Sequence, residues 1–148
     1  MVVDGVVNPI GVGIDLVDLA RVASMLADKG DHAFARLFTD EERAYLATRS
    51  DPTGHAAARI AAKEAVYKAL QSLPGARGVG WRDIEVTRDA EGRPAIRLHG
   101  LAERLAAEAG GLRIQISLTH SSVEAGAVAV ITGAPPTPPA PSSPEYPT

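Results

Sequence analysis

Hydrophobic and polar positions divide the chain into segments of different period. From Ile10 to Leu16 glycine alternates with Ile and Val, the pattern of a buried strand against which another backbone lies close. Leu16, Leu19, Ala20, Ala23, Leu26 and Ala27 then recur at helical spacing, with Lys29-Gly30 as a stop. Thr39-Asp40-Glu41-Glu42 is a helix start in which Thr39 caps and Glu42 reaches back, opening a short helix with Tyr45 and Leu46. The strongest helical segment runs from about Ala56 to Ser72, rich in alanine and closed by Pro74 and Gly75. After it the period changes. Ile84, Val86 and Ile96, Leu98 flank Asp89-Ala90-Glu91-Gly92 as a hairpin. Leu101 to Ala109 reads as an amphipathic helix ended by Gly110-Gly111. Leu112, Ile114, Ile116 and Leu118 alternate with polar residues as a half-buried strand, and Ala125 to Ile131 is another. This order predicts an α+β domain with a mostly antiparallel sheet and helices on one face.

Composition narrows the domain. Gly133 to Thr148 hold seven of the eleven prolines and little apolar surface, so they read as a disordered, partly polyproline II tail. The first eight residues read as loose, leaving a folded unit of about residues 9–132 in a 148-residue chain. Alanine accounts for 26 residues and aromatics for only six, a poor supply of large apolar side chains that points toward subunit contacts. Eighteen acidic residues against fifteen basic ones leave a net charge of −3, which argues against general nucleic-acid binding. No stretch is long and apolar enough for a membrane span. The absence of cysteine excludes disulfides and thiol nucleophiles, and the basic start of a secretory signal is missing, so the expected location is cytoplasmic.

Three segments concentrate polar groups. In Gly13-Ile14-Asp15 a carboxylate stands at a strand-to-helix junction with Arg21 six residues on, and either Asp15 or Asp18 can cap the helix. In Arg59 to Lys68, positions 59 and 63 share one helix face and positions 64 and 68 a neighbouring one. These are either two exposed pairs worth about 0.3–0.5 kcal/mol each or a working carboxylate, Glu64, bracketed by cations on an alanine wall. The third segment, Ser117 to Ser122, ends a strand in His120 among hydroxyls, whereas His32, His55 and His99 have no comparable setting. Two carboxylates can share a hard cation such as Mg²⁺ while lysines hold phosphates and a histidine donates to the same ligand. That constellation suits phosphoryl-type transfer.

The segments GVGIDLVDLARV, FARLFTDEER, ARIAAKEAVYKAL and ISLTHSSVEAGAVAV, with DIEVTRDAEGRPAI, resemble in order and spacing the holo-[acyl-carrier-protein] synthase family of 4′-phosphopantetheinyl transferases. The resemblance spans residues 10–131. It implies transfer of the phosphopantetheine arm of coenzyme A to a serine of apo acyl carrier protein, with release of adenosine 3′,5′-bisphosphate. It implies Asp15 and Glu64 as Mg²⁺ ligands, Lys63 and Lys68, joined by Arg59, as contacts of coenzyme A, and Arg21 as a contact of the carrier protein. His120 matches the end of a family motif, with a coenzyme-orienting or proton-relaying role. It further implies a homotrimer with sites in clefts between subunits. The chain departs from the family in the loop Gln71 to Gly78, usually glycine-rich, and at Ile60, where an aromatic is common. No Gly-x-x-x-x-Gly-Lys-Ser/Thr loop is present, which disfavours a P-loop nucleotide hydrolase.

Overall fold

A computed structural model describes residues 9–133. The expected loose start and proline-rich tail lie outside the described residues, apart from Gly133, which ends the last strand. Strand β1 (Pro9–Asp18) leads into α1 (Leu19–Leu37), α2 (Asp40–Ala47) and α3 (Thr53–Leu70). Two single 3₁₀ turns, Ala76–Gly78 and Trp81–Asp83, precede the hairpin β2 (Ile84–Arg88) and β3 (Pro94–Leu98). Helix α4 (Gly100–Glu108) then connects to β4 (Leu112–His120) and β5 (Glu124–Gly133).

All strand pairs are antiparallel, in a three-stranded sheet ordered β1-β5-β4 and a separate two-stranded β2-β3 sheet. The α+β architecture follows the expectation. Helix α3 lies across one face of the larger sheet, against β1 and β5. The glycines of β1 permit that approach, because a Cβ at Gly13 would overlap the carbonyl oxygen of Ala65 and one at Gly11 that of Ala69. Alanines 61, 62, 65 and 69 on α3 and Ala127, Ala129 and Ile131 on β5 fill this layer. A second apolar cluster under α1 and α2 centres on Phe38, Leu46 and Val22.

The other face of the larger sheet is open. The period of two sends Gly11, Gly13, Asp15 and Val17 toward α3, and Ile10, Val12, Ile14 and Leu16 outward. Val12, Ile14 and Leu16 are 61%, 67% and 65% exposed.

The start of α1 differs from expectation. Leu16 remains in β1, paired with Gly126, and the helix starts at Leu19 because Asp18 accepts hydrogen bonds from the amides of Ala20 and Arg21. The stop expected at Lys29-Gly30 is present, since Gly30 leaves helical geometry (φ 46°, ψ −126°), and a second helical stretch follows it to Leu37, burying Ala33 and Leu37. The cap of α2 is as expected: Thr39 Oγ1 accepts from the amide of Glu42, whose Oε1 accepts from the amide of Thr39.

Candidate active site

Asp15 is held on the inner face of β1 by the strand register, paired with Ala127. Glu64 and Lys68, one turn apart on α3, face the same point, because the glycines of β1 bring the helix close. Lys68 Nζ donates to Asp15 Oδ1 at 3.0 Å and to the carbonyl of Ile14 at 2.9 Å. Burial raises the Glu64 carboxyl above its ordinary value, and the neighbouring Asp15 raises it further, against the opposing charges of Lys68 and Arg21. A cavity of about 360 Å³ is lined by Asp15, Arg21, Glu64 and Lys68 together with Ile60 and Trp81. Sequence-predicted Asp15, Arg21, Glu64 and Lys68 therefore meet in one place.

Lys63 goes elsewhere. Its side chain is 1% exposed, and its ammonium donates to Glu42 Oε1 at 2.7 Å, to the carbonyl of Trp81 at 2.8 Å and to that of Ile84 at 2.5 Å. A lysine has three donors, and all three are engaged. The expected contact with a coenzyme phosphate gives way to an internal tie between α2, α3 and the start of β2. Burial pushes the Lys63 ammonium below the ordinary lysine value, with Glu42 opposing. The reading of positions 59 and 63 as exposed ion-pair members also fails, since both side chains are buried.

Arg59 belongs to a second cluster. Arg59 stacks on the ring of Tyr45 with its guanidinium carbon 4.1 Å from the centroid, donates to the carbonyl of His55 at 3.3 Å, and leaves Nε buried without a partner among the described residues. Arg49 and Arg88 donate to the Tyr45 hydroxyl at 2.9 and 2.6 Å. Burial alone would raise the Tyr45 phenol, but the Arg49 hydrogen bond and the charges of Arg88, Arg49 and Arg59 together hold it below its ordinary value. Burial holds His55 below its ordinary value, with the charges of Arg49, Arg59 and Arg88 and, least, His120 adding to it. A cavity of about 280 Å³ opens at Tyr45, Arg59, Arg88 and Arg97, and shares no lining residue with the Asp15 cavity. Neither Arg59 nor His120 lines the cavity of Glu64.

Several of these residues were missed in the sequence. Glu42 was visible only as a cap, although its carboxylate also accepts from Lys63 and from the amide of Val86. Tyr45 near the end of α2 and Arg49 just past it lie four apart, a local signal, whereas Arg88 arrives from β2 and leaves none. His55 and His99, set aside in the sequence, contact Tyr45 and Glu85.

Residues 11–127 match the model of the 4′-phosphopantetheinyl transferase superfamily. The chain belongs to that superfamily. Among curated relatives, the holo-[acyl-carrier-protein] synthase of Clavibacter sepedonicus is 43% identical over 123 residues, covering 83% of this chain and 95% of the relative. The synthase of Caldanaerobacter subterraneus subsp. tengcongensis is 38% identical over 122 residues, covering 82% and 94%. Among solved structures, the synthase of Chronobacterium ammoniagenes in complex with coenzyme A superimposes with a TM-score of 0.71 at 33% identity, covering 84% of this chain and 98% of that one. The synthase of Bacillus anthracis in complex with CoA (3′,5′-ADP) gives 0.69 at 29% identity, covering 87% and 100%. The phosphopantetheinyl transferase fold expected from the motifs is thus the fold found, and the chain is an enzyme of this superfamily.

Two carboxylates that repel each other in a half-buried cleft are a suitable donor pair for a hard dication. Among the described residues no group of three or more acidic or histidine side chains gathers at one point, so a metal here would have two protein carboxylates at most. As an all-oxygen donor pair, Asp15 and Glu64 would suit a hard ion such as Mg²⁺.

Proposed function

We propose that Asp15, Glu64 and Lys68 form the reacting centre for transfer of 4′-phosphopantetheine from coenzyme A to a serine of apo acyl carrier protein. The activity is that of a holo-[acyl-carrier-protein] synthase, which leaves holo carrier protein and adenosine 3′,5′-bisphosphate. The serine Oγ forms a bond to the pantetheine-bearing phosphorus while the bond from that phosphorus to the bridging oxygen breaks, and the adenosine bisphosphate leaves with the electron pair. The observation that carries the reading is the meeting of Asp15 from β1 with Glu64 and Lys68 from α3.

Asp15 and Glu64 would hold Mg²⁺, which when bound supplies charge neutralisation for the pyrophosphate. Lys68, half-exposed beside Asp15, would donate to phosphate oxygens as negative charge builds on them. The raised carboxyl of Glu64 suits it to accept the serine proton, directly or through water. Arg21 lies on the rim and offers positive charge to an acidic carrier surface.

Arg59, with Arg49 and Arg88 around Tyr45, offers a concentration of guanidinium donors that suits the remaining coenzyme phosphates, and His120 sits beside it. Because this cluster and Asp15 line separate cavities, we assign them to two subunits of a homotrimer, the cluster of one subunit completing the centre of the next. The open sheet face supports this: a run of exposed Ile10, Val12, Ile14 and Leu16 matches a second copy of the same chain. A cytoplasmic reaction is part of the same proposal.

The test is release of adenosine 3′,5′-bisphosphate from coenzyme A. Release is expected only with both Mg²⁺ and apo carrier protein present. Release without the carrier would identify a hydrolase instead.

A further inference from the structure

Three guanidiniums from different parts of the chain converge on Tyr45: Arg49 just past α2, Arg59 on α3 and Arg88 at the end of β2. Their guanidinium carbons lie 4.9, 4.1 and 5.0 Å from the centroid of its ring. Like charges gathered this closely repel one another. Among the described residues none of the three forms a salt bridge. Of the carboxylates along the cavity they line, Glu42 is paired with Lys63, Glu85 with Arg97 and His99, and Glu41 is exposed. Arg59 is buried and its Nε has no partner among the described residues, a donor that is costly to leave unmet. Something on the protein must therefore hold three unneutralised cations in one place.

Tyr45 does so with two different parts of its side chain. Its hydroxyl oxygen accepts from Arg49 Nη2 at 2.9 Å and from Arg88 Nη2 at 2.6 Å, which uses both of its lone pairs. The phenol proton is left to face His55 Nδ1 at 3.5 Å. Arg59 is held by the face of the ring instead. A carboxylate in this place would fix the same arginines and cancel their charge, whereas a phenol fixes them without a compensating carboxylate and leaves the charge for a ligand. Resting on the proposed function, which gives this cluster to the coenzyme phosphates, we infer that Tyr45 is the positioning residue of the anion site, aiming Arg49 and Arg88 through its hydroxyl and Arg59 through its ring. With both lone pairs filled and its proton turned to His55, the hydroxyl has nothing left to offer a phosphate. Tyr45 acts through the arginines alone.

Calorimetric binding of adenosine 3′,5′-bisphosphate to the full chain tests this apart from turnover. Tyr45→Phe keeps the ring under Arg59 but loses both hydroxyl bonds, and is expected to weaken binding about tenfold. Tyr45→Leu, which loses the ring as well, is expected to weaken it about a hundredfold. In a chain already carrying Arg49→Ala and Arg88→Ala, Tyr45→Phe is expected to change the dissociation constant by less than about twofold, because the residues it acts through are gone. The KM for carrier protein is expected to stay within about twofold in Tyr45→Phe. Equal binding by the native chain and Tyr45→Phe would overturn the assignment. So would a tenfold loss that persists in the double-alanine chain, which would make Tyr45 a direct contact, or a parallel rise in the carrier KM, which would make it a structural residue only. A native chain that does not bind the bisphosphate would remove the reading of the cluster and this inference with it. Absence of transfer, with binding and its dependence on Tyr45 intact, would count against the proposed function alone.

Discussion

Lys63 Nζ lies 2.7 Å from Glu42 Oε1, and the two side chains are 1% and 0% exposed. An ion pair taken so fully out of water is costly to break from one side, because the survivor stays buried with its charge uncompensated. Lys63→Met is expected to lower unfolding stability by about 3–5 kcal/mol, and Glu42→Gln in the same chain to recover part of it. Denaturant titration of the three proteins checks this. If Lys63→Met unfolded like the native chain and instead raised the KM for coenzyme A, the lysine would be a phosphate contact after all.

Glu85 supplies a pH dependence. Burial by itself raises its carboxyl, but hydrogen bonds from Thr39 and His99 and the charges of His99 and Arg97 outweigh that, so it titrates below the ordinary glutamate value of 4.5. A carboxyl lowered in the fold contributes stability that is complete above its unfolded value and is lost as pH falls through its folded one. Unfolding free energy is expected to decline below about pH 4.5, with a shallower decline in Glu85→Gln. Identical slopes would show that Glu85 is not the linked group.

Arg21 and Arg59 should separate the two substrates. Arg21→Glu is expected to raise the KM for carrier protein about tenfold or more with little change for coenzyme A, and Arg59→Ala to do the reverse. Steady-state kinetics with each substrate varied in turn decides the matter. Parallel changes in both constants for either variant would remove the assignment of that residue.

The outward row of β1 predicts assembly. A carboxylate in place of Ile14, in the middle of the exposed row, would have to be buried unpaired if a second copy covers this face. Ile14→Glu is expected to convert a trimer into monomers of 15.4 kDa and to abolish transfer, as measured by sedimentation. A native protein that is active as a monomer would refute the shared site.

Much of the fold was legible because it rests on local patterns. The alternation in β1 and β4, the Thr39–Glu42 cap and the hairpin at Asp89 to Gly92 each depend on neighbours within a few residues. Even the close approach of α3 was readable, from glycines on one element and alanines on the other. Asp15, Glu64 and Lys68 were found for the same reason, as polar residues set into those small-residue surfaces. What stayed hidden depends on long-range burial. Helical spacing could place Lys63 on a face but could not say that Glu42, 21 residues earlier, would meet it inside the protein. Gly30 was readable as a stop because propensity marks a break, but only the packing of Ala33 and Leu37 decides that a helix resumes after it.

The central claim is that the Asp15–Glu64 pair supports transfer of the arm to a carrier protein. Intact-mass measurement of an apo acyl carrier protein incubated with this chain, coenzyme A and Mg²⁺ tests it most directly. A gain of about 340 Da is expected with the native protein, and none with Asp15→Asn or Glu64→Gln at saturating Mg²⁺. An unmodified carrier with the native chain, or a full gain with either variant, would contradict it.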